Sequence, residues 1–253
     1  MTLSLHSNTE TPLKKQQSCI TTSWDDGHPA DFRLAELLAK YNLRGTFYIP
    51  KTNQEHEVMP ESGIQQIAAH FEVGGHTLDH IAVYETNAAN WEQQVSSCYD
   101  WLSDLLGKKP VSFCFPKGQY TTMAAAAVAN AGFRLSRTTE LLQISADVNR
   151  QHPILPTTIQ VFEHTRTTYF KHLLKRGKMQ TLLQWLSAHA QKELELLTDT
   201  YIQKIASNGG CFHLWGHSWE IDEYQLWNKL EAIFKRLSAV TDIRSVENRE
   251  LLS

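Results

Sequence analysis

Short apolar runs alternate with helical patterns along most of the chain, and this alternation limits the fold more than any other feature of the sequence. "CITTSW" at 19–24 reads as a strand, after which Leu34, Leu37, Leu38 and Tyr41 fall at i, i+3, i+4 and i+7 on one helix face. "GTFYI" is a second strand, "SGIQQIAAH" a short helix capped by Ser62, and "FEVGGH" a third strand. A helix covers about 87–106, "VSFCF" follows as a strand, and the alanine-rich "TTMAAAAVANAG" is a helix closed by Gly132. Further strands are expected at "FRLSRT", "TIQVF", "GCFHLW" and "DIRSVE". The last helix carries Tyr224, Trp227, Leu230, Phe234 and Leu237 on one face. Strands alternating with helices imply parallel pairing with helical crossovers. About seven such strands fit a single-domain α/β barrel better than an open doubly wound sheet. The expected layout is a polar arm at 1–17 and one domain over 18–253, with a helical insertion near 164–207.

The rest of the composition serves mainly to exclude. The chain has 253 residues, is 42% hydrophobic, and has a formal net charge of −3. It therefore has no overall attraction to nucleic acid, and no apolar run approaches the length of a membrane span. The first residues, "MTLSLHSNTETPLKKQQ", lack the basic-then-apolar layout of a secretory signal, so a cytoplasmic location is expected. Four cysteines without C-x-x-C spacing read as small buried hydrophobes in a reducing compartment.

Barrels of this kind gather their chemistry on the loops that follow strands. Three such positions stand out: Asp25-Asp26 in "SWDDG", His76 and His80 in "GGHTLDH", and His213, His217 and Glu220 in "HLWGHSWE". Two histidines at i and i+4 lie on one face of a helical turn and can reach one metal ion. With one carboxylate they form a two-His, one-Asp set that leaves positions open for water and substrate. Adjacent aspartates repel each other, but a cation neutralises one and leaves the other as a base. An isolated H-x-x-x-H or D-D-G has plainer explanations as an exposed helix or a turn. Together, each directly after a strand, they point to a site. "GHSWE" approaches a serine-hydrolase elbow, but no histidine follows Ser218 to complete a triad in the usual order. On the strand ending there, His213, Trp215 and His217 share one face, and His217 lies furthest toward the barrel mouth.

The motifs "SWDDG", "HTLDH", "FCFPKG" and "HLWGHS", in that order, resemble those of the polysaccharide deacetylase family, the chitooligosaccharide-deacetylase-like carbohydrate esterases. The resemblance implies a distorted (β/α) barrel and a divalent metal, usually zinc, held by Asp26, His76 and His80. It implies Asp25 as catalytic base, drawing a proton from water whose pKa the ion has lowered. The oxyanion would be stabilised by the metal and the backbone N–H of Lys117. A histidine on a late strand, for which His217 is the candidate, would protonate the departing amine. Many family members carry an arginine where this chain has Cys114 and a tyrosine where it has Lys117. Arg137 is the candidate to supply the missing charge, and Glu220 is a candidate to orient His217. Trp24, Trp215 and Trp219 suit stacking on sugar faces, Trp24 being equally suited to the core. The expected function is a metal-dependent N-deacetylase acting on an acetamido sugar, in a cytoplasmic setting a surface-polysaccharide precursor. The alternatives are an allantoinase-like hydrolase of another C–N bond and a non-catalytic saccharide-binding domain. A saccharide is the expected partner; nucleic acid is not.

Overall fold

The computed structural model describes residues 18–144, 151–175, 177, 179–187, 190 and 192–252, so the arm expected at 1–17 lies outside the described residues. The chain runs β1 (Cys19–Asp25), α1 (Asp31–Lys40), β2 (Thr46–Ile49), α2 (Glu61–Ala68), β3 (Glu72–Gly75), α3 (Ala88–Leu106) and β4 (Ser112–Cys114). It continues through α4 (Thr122–Ala131), β5 (Leu135–Arg137), β6 (Ile154–Leu155), β7 (Ile159–Gln160), α5 (Arg166–Lys175), α6 (Met179–Ser187) and α7 (Leu194–Asn208). It ends with β8 (Cys211–His217), α8 (Ser218–Glu223), α9 (Trp227–Ser238) and β9 (Arg244–Ser245).

The strands form one sheet in the order β6-β5-β4-β3-β2-β1-β8-β7, with β9 also on β1, and every pairing is parallel. Residues 156–158 alone separate β6 from β7, and these two strands pair with opposite ends of the sheet. One extended segment thus spans the seam of a distorted (β/α) barrel. The two-residue β6 has too little apolar sequence to announce itself locally. Of the expected insertion, only α5 and α6 are additional; α7 packs on α9, β7 and β8 as a crossover helix does.

The two faces of each strand have different fates. Ile20 and Trp24 point outward, where Trp24 meets the edge of Phe234 in α9. Thr21, Ser23 and Asp25 point inward, as hydrogen bonds spanning non-adjacent strands show. Arg137 Nη2 of β5 donates to Thr21 Oγ1 at 2.9 Å, and Cys114 Sγ of β4 donates to Asp25 Oδ2 at 3.2 Å. The interior is consequently polar. His213 is buried with Nδ1 2.7 Å from Thr21 Oγ1 and Nε2 2.9 Å from Ser23 Oγ, a histidine satisfied on both sides.

Two local expectations need correction. Helix α2 begins after the extended Pro60, so Ser62 sits inside it and does not cap it. Tyr224 ends α8, is 53% exposed, and lies outside the buried face of α9. The expected closure at Gly132 is seen, with that residue left-handed at φ 119°.

Glu72 ties several elements together. Its carboxylate accepts from Ser112 Oγ of β4 at 2.6 Å, Thr46 Oγ1 of β2 at 2.9 Å and the Arg249 backbone N–H near the C-terminus at 2.8 Å. Burial raises its pKa above the usual glutamate value, and these bonds offset part of that cost. Glu72→Ala strands three buried donors and is expected to lower unfolding free energy by about 2–4 kcal/mol in urea denaturation. A loss below about 0.5 kcal/mol would contradict this role.

Candidate active site

In an extended strand, consecutive side chains point to opposite faces, so Asp25 and Asp26 should not reach the same space. The backbone resolves this by leaving the strand between them. Asp26 has φ 82° and Gly27 has φ 65°, both left-handed, while the Asp26 N–H donates to Tyr48 O at 3.0 Å. A Cβ on Gly27 would lie 2.6 Å from Ile49 Cγ2, so only glycine fits this turn. Holding Asp26 left-handed costs of order 1–3 kcal/mol, the kind of strain that functional sites carry. It puts two carboxylates, each 2% exposed, on one cavity.

His76 and His80 approach from the loop after β3. They lie on no helical turn, contrary to expectation: Thr77 at φ 60° and His80 at φ 56° curl the loop back, leaving the ring centroids 5.1 Å apart. Nε2 of His80 is 3.1 Å and Nε2 of His76 is 3.5 Å from Asp26 Oδ1. His76 Nδ1 is 2.8 Å from the Cys114 carbonyl oxygen, a contact that requires a proton on Nδ1. In the neutral imidazole this leaves Nε2 as a lone pair facing Asp26, the arrangement that metal-binding histidines use. Oδ1 of Asp26 is itself buried without a hydrogen-bond donor. Ligand atoms of the three residues lie within 4.8 Å of one another, so the donor set fits a divalent cation.

A second group, Asp25, His76 and Cys114, is equally compact. Burial, followed by the nearby Asp25 charge, pushes the Cys114 thiol well above its usual pKa. It stays an S–H donor to Asp25, and a thiol is a poor ligand where a thiolate is needed. Asp25 Oδ2 also accepts from Trp215 Nε1 at 2.7 Å, whereas Oδ1 is buried without a partner.

His217 closes the far side of the cavity, with Nε2 3.9 Å from Asp26 Oδ2 and Nδ1 3.4 Å from Glu220 Oε2. Burial disfavours its charge, but the Glu220 hydrogen bond and the two aspartates outweigh that and raise its pKa to about 9. Gln160 Nε2 donates to the same Glu220 oxygen at 3.0 Å, and Gln160 Oε1 contacts His164 Nε2 at 2.8 Å. Trp219 Nε1 donates to Asp26 Oδ2 at 2.8 Å, while its ring stacks on His56 at 3.8 Å. At the rim, Lys117 Nζ pairs with Glu55 at 3.1 Å and Glu85 at 2.5 Å. The cavity between these walls measures about 330 Å³.

Residues 13–136 match the polysaccharide deacetylase family model. The chain carries a polysaccharide deacetylase domain. Its fold is shared by a candidate polysaccharide deacetylase from Mycobacterium smegmatis, with 14% identity, 96% of this chain and 91% of the other covered, and a TM-score of 0.65. A chitin deacetylase from Colletotrichum lindemuthianum has 16% identity over 94% of this chain and 88% of its own, with a TM-score of 0.59. The Puue allantoinase has 11% identity over 94% and 89%, with a TM-score of 0.62. No curated protein matches the sequence.

Asp25, Asp26, His76, His80 and Lys117 from the matched segment and Trp215, His217 and Trp219 from beyond it all line one cavity. Two expected site residues do not. Arg137 is buried below it, donating to Thr21 Oγ1 and, through Nη1 at 2.9 Å, to Pro156 O. Among the described residues no carboxylate lies within ion-pair distance of it, so it does not replace the missing arginine beside Asp25; Trp215 and Cys114 occupy that place as neutral donors. Trp24 is fully buried on the outer face of β1, donating to Thr22 Oγ1, and is core. Gln160, His164 and His56 are cavity residues that the sequence reading missed. They sit outside the motifs: His56 comes from the loop after β2, and Gln160 and His164 come in with β7 through its pairing with β8.

The proton balance of the ligand set can be measured without turnover. Burial lowers the His76 pKa, but the close Asp26 carboxylate, 3.5 Å from Nε2, and the charge of Asp25 raise it above the usual histidine value overall. A cation must displace that proton, so affinity should fall as pH drops below the raised His76 pKa and level off above it. Metal content after equilibration at pH 5.5 and at pH 8, each with limiting zinc, is expected to be clearly lower at the acid pH. His80→Ala should lose most bound metal at both; an unchanged content would remove His80 from the ligand set.

Proposed function

We propose that the protein is a metal-dependent N-deacetylase that hydrolyses an acetamido group on a sugar, a precursor of surface polysaccharide handled in the cytoplasm. The observation that carries this reading is the meeting, in one cavity, of a two-His, one-Asp ligand set, a second buried carboxylate and a histidine held by Glu220.

A divalent ion at Asp26, His76 and His80, zinc being the best fit to these ligands, would activate water and polarise the acetamide carbonyl. Asp25 acts as base through Oδ1, because Trp215 and Cys114 hold Oδ2 and fix the carboxylate's orientation. His217, with its pKa raised by the Glu220 hydrogen bond that holds Nδ1, presents Nε2 to the cavity and gives its proton to the departing amine. Lys117, in a tight left-handed turn at φ 57°, lines the cavity, and its backbone N–H would serve as oxyanion donor. Trp219 and His56 offer a paired aromatic surface for a sugar, while Trp215 works beneath Asp25. A cavity of about 330 Å³ with a charged rim suits one sugar unit. The charged rim of Lys117, Glu55 and Glu85 also supports a second reading, hydrolysis of another C–N bond on a small polar molecule.

Acetate release from a panel of N-acetylated sugars, sugar nucleotides and oligosaccharides tests the proposal. Asp25→Asn should keep its metal and lose turnover, whereas Asp26→Asn should lose both. His217→Ala should keep its metal and lose ~10²–10⁴-fold in rate. Near-normal turnover by His217→Ala, or no acetate from any sugar with metal loaded, would overturn the assignment.

A further inference from the structure

Helices α5 and α6 each bury one apolar stripe and expose another. In α5, Tyr169 and Leu173 are 1% exposed, whereas Phe170 and Leu174, one position further on, are 41% and 51% exposed. In α6, Leu182 and Trp185 are buried, whereas Met179, Leu183 and Leu186 are 53%, 61% and 45% exposed. The exposed set falls at i, i+4 and i+7, a single helix face. Five of the nine large hydrophobic residues exposed among the described residues therefore sit on these two short helices. Such clustering marks an interaction surface, where isolated exposed hydrophobes would not.

The charge of the same stretch is one-sided. Residues 164–192 contain Arg166, Lys171, Lys175, Arg176, Lys178 and Lys192 and no aspartate or glutamate, in a chain whose net charge is −3. Arg166 and Lys171 are exposed on α5. An identical second copy would bring like charge against this stretch, and an acidic groove on a protein would leave the apolar stripe without a partner. A lipid surface with anionic headgroups satisfies both features, taking the apolar side chains below the headgroups and the cations at their level.

We propose that the α5–α6 pair docks the protein reversibly on an anionic membrane surface. Thr168 of α5 and the preceding His164 line the cavity, so docking through the opposite side of α5 holds the cavity one helix diameter, ~10 Å, from the lipid. A saccharide carried on a lipid phosphate would then be reached at the surface. This last consequence rests on the deacetylase reading; the docking itself does not, and vesicle binding reads it without turnover.

The test is sedimentation of the full chain with vesicles of phosphatidylcholine alone or mixed with phosphatidylglycerol. Binding is expected to the mixed vesicles only and to weaken with added salt. Phe170→Glu combined with Leu183→Glu should lower partitioning about tenfold or more. Lys171→Gln should lower it about fivefold. An unchanged thermal transition and metal content in these variants shows that the fold is intact, and Lys171→Gln serves if the double variant does not fold. No binding to the mixed vesicles, binding that ignores the anionic lipid, or undiminished binding by folded variants would each overturn the proposal. So would self-association of the parent chain that the same substitutions abolish without any vesicle binding.

Discussion

Two consecutive carboxylates buried in one cavity are an electrostatic debt that the rest of the site exists to settle. Asp25 and Asp26 repel each other, and burial penalises the charge of each. The left-handed turn at Asp26 and Gly27 creates the problem by pointing both side chains at the same space. Different partners settle the two halves. For Asp26, burial favours the neutral acid, but His76, His80 and His217 outweigh it and hold the carboxyl well below its usual pKa. For Asp25, two neutral donors from β4 and β8 fasten one oxygen and leave the other free. The asymmetry gives the two carboxylates different surroundings although the residues are neighbours in sequence, and the proposed roles of ligand and base rest on it.

That division depends on the barrel's interior being polar below the site. Inward-facing Thr21, Ser23, His213 and Arg137 are linked by hydrogen bonds from layer to layer, while the apolar outer faces of the same strands pack on the helices. The register of β1 on β8 sets Thr21 beside His213, Ser23 beside Trp215 and Asp25 beside His217. A slip of one residue would turn these side chains to the other face and dismantle the core and the site together.

The parts of this arrangement legible in the sequence are those that strand endings encode. The βα alternation led to the parallel barrel, and the residues directly after β1, β3 and β8 are the ones that meet in the cavity. Period-two alternation also placed His213, Trp215 and His217 on one face. Partners that depend on long-range closure were not legible. Arg137 stood at the end of an expected strand, where site residues gather, yet its guanidinium lies in the layer below. Gln160 and Glu220 are far apart in sequence and meet only because β7 pairs with β8. The His76–His80 spacing suggested a helix, and two left-handed residues bring the rings together by another route. Trp24 was indistinguishable from a binding aromatic until strand parity turned it outward.

On the proposed reading Asp26, His76 and His80, and not the overlapping set with Cys114, would hold the cation. X-ray absorption at the metal edge of the zinc-loaded protein addresses this most directly, because sulfur and the lighter ligands scatter at different distances. The account predicts only nitrogen and oxygen neighbours at about 2.0–2.2 Å, including two imidazoles. A sulfur neighbour at about 2.3 Å would place the ion against Cys114 and contradict it.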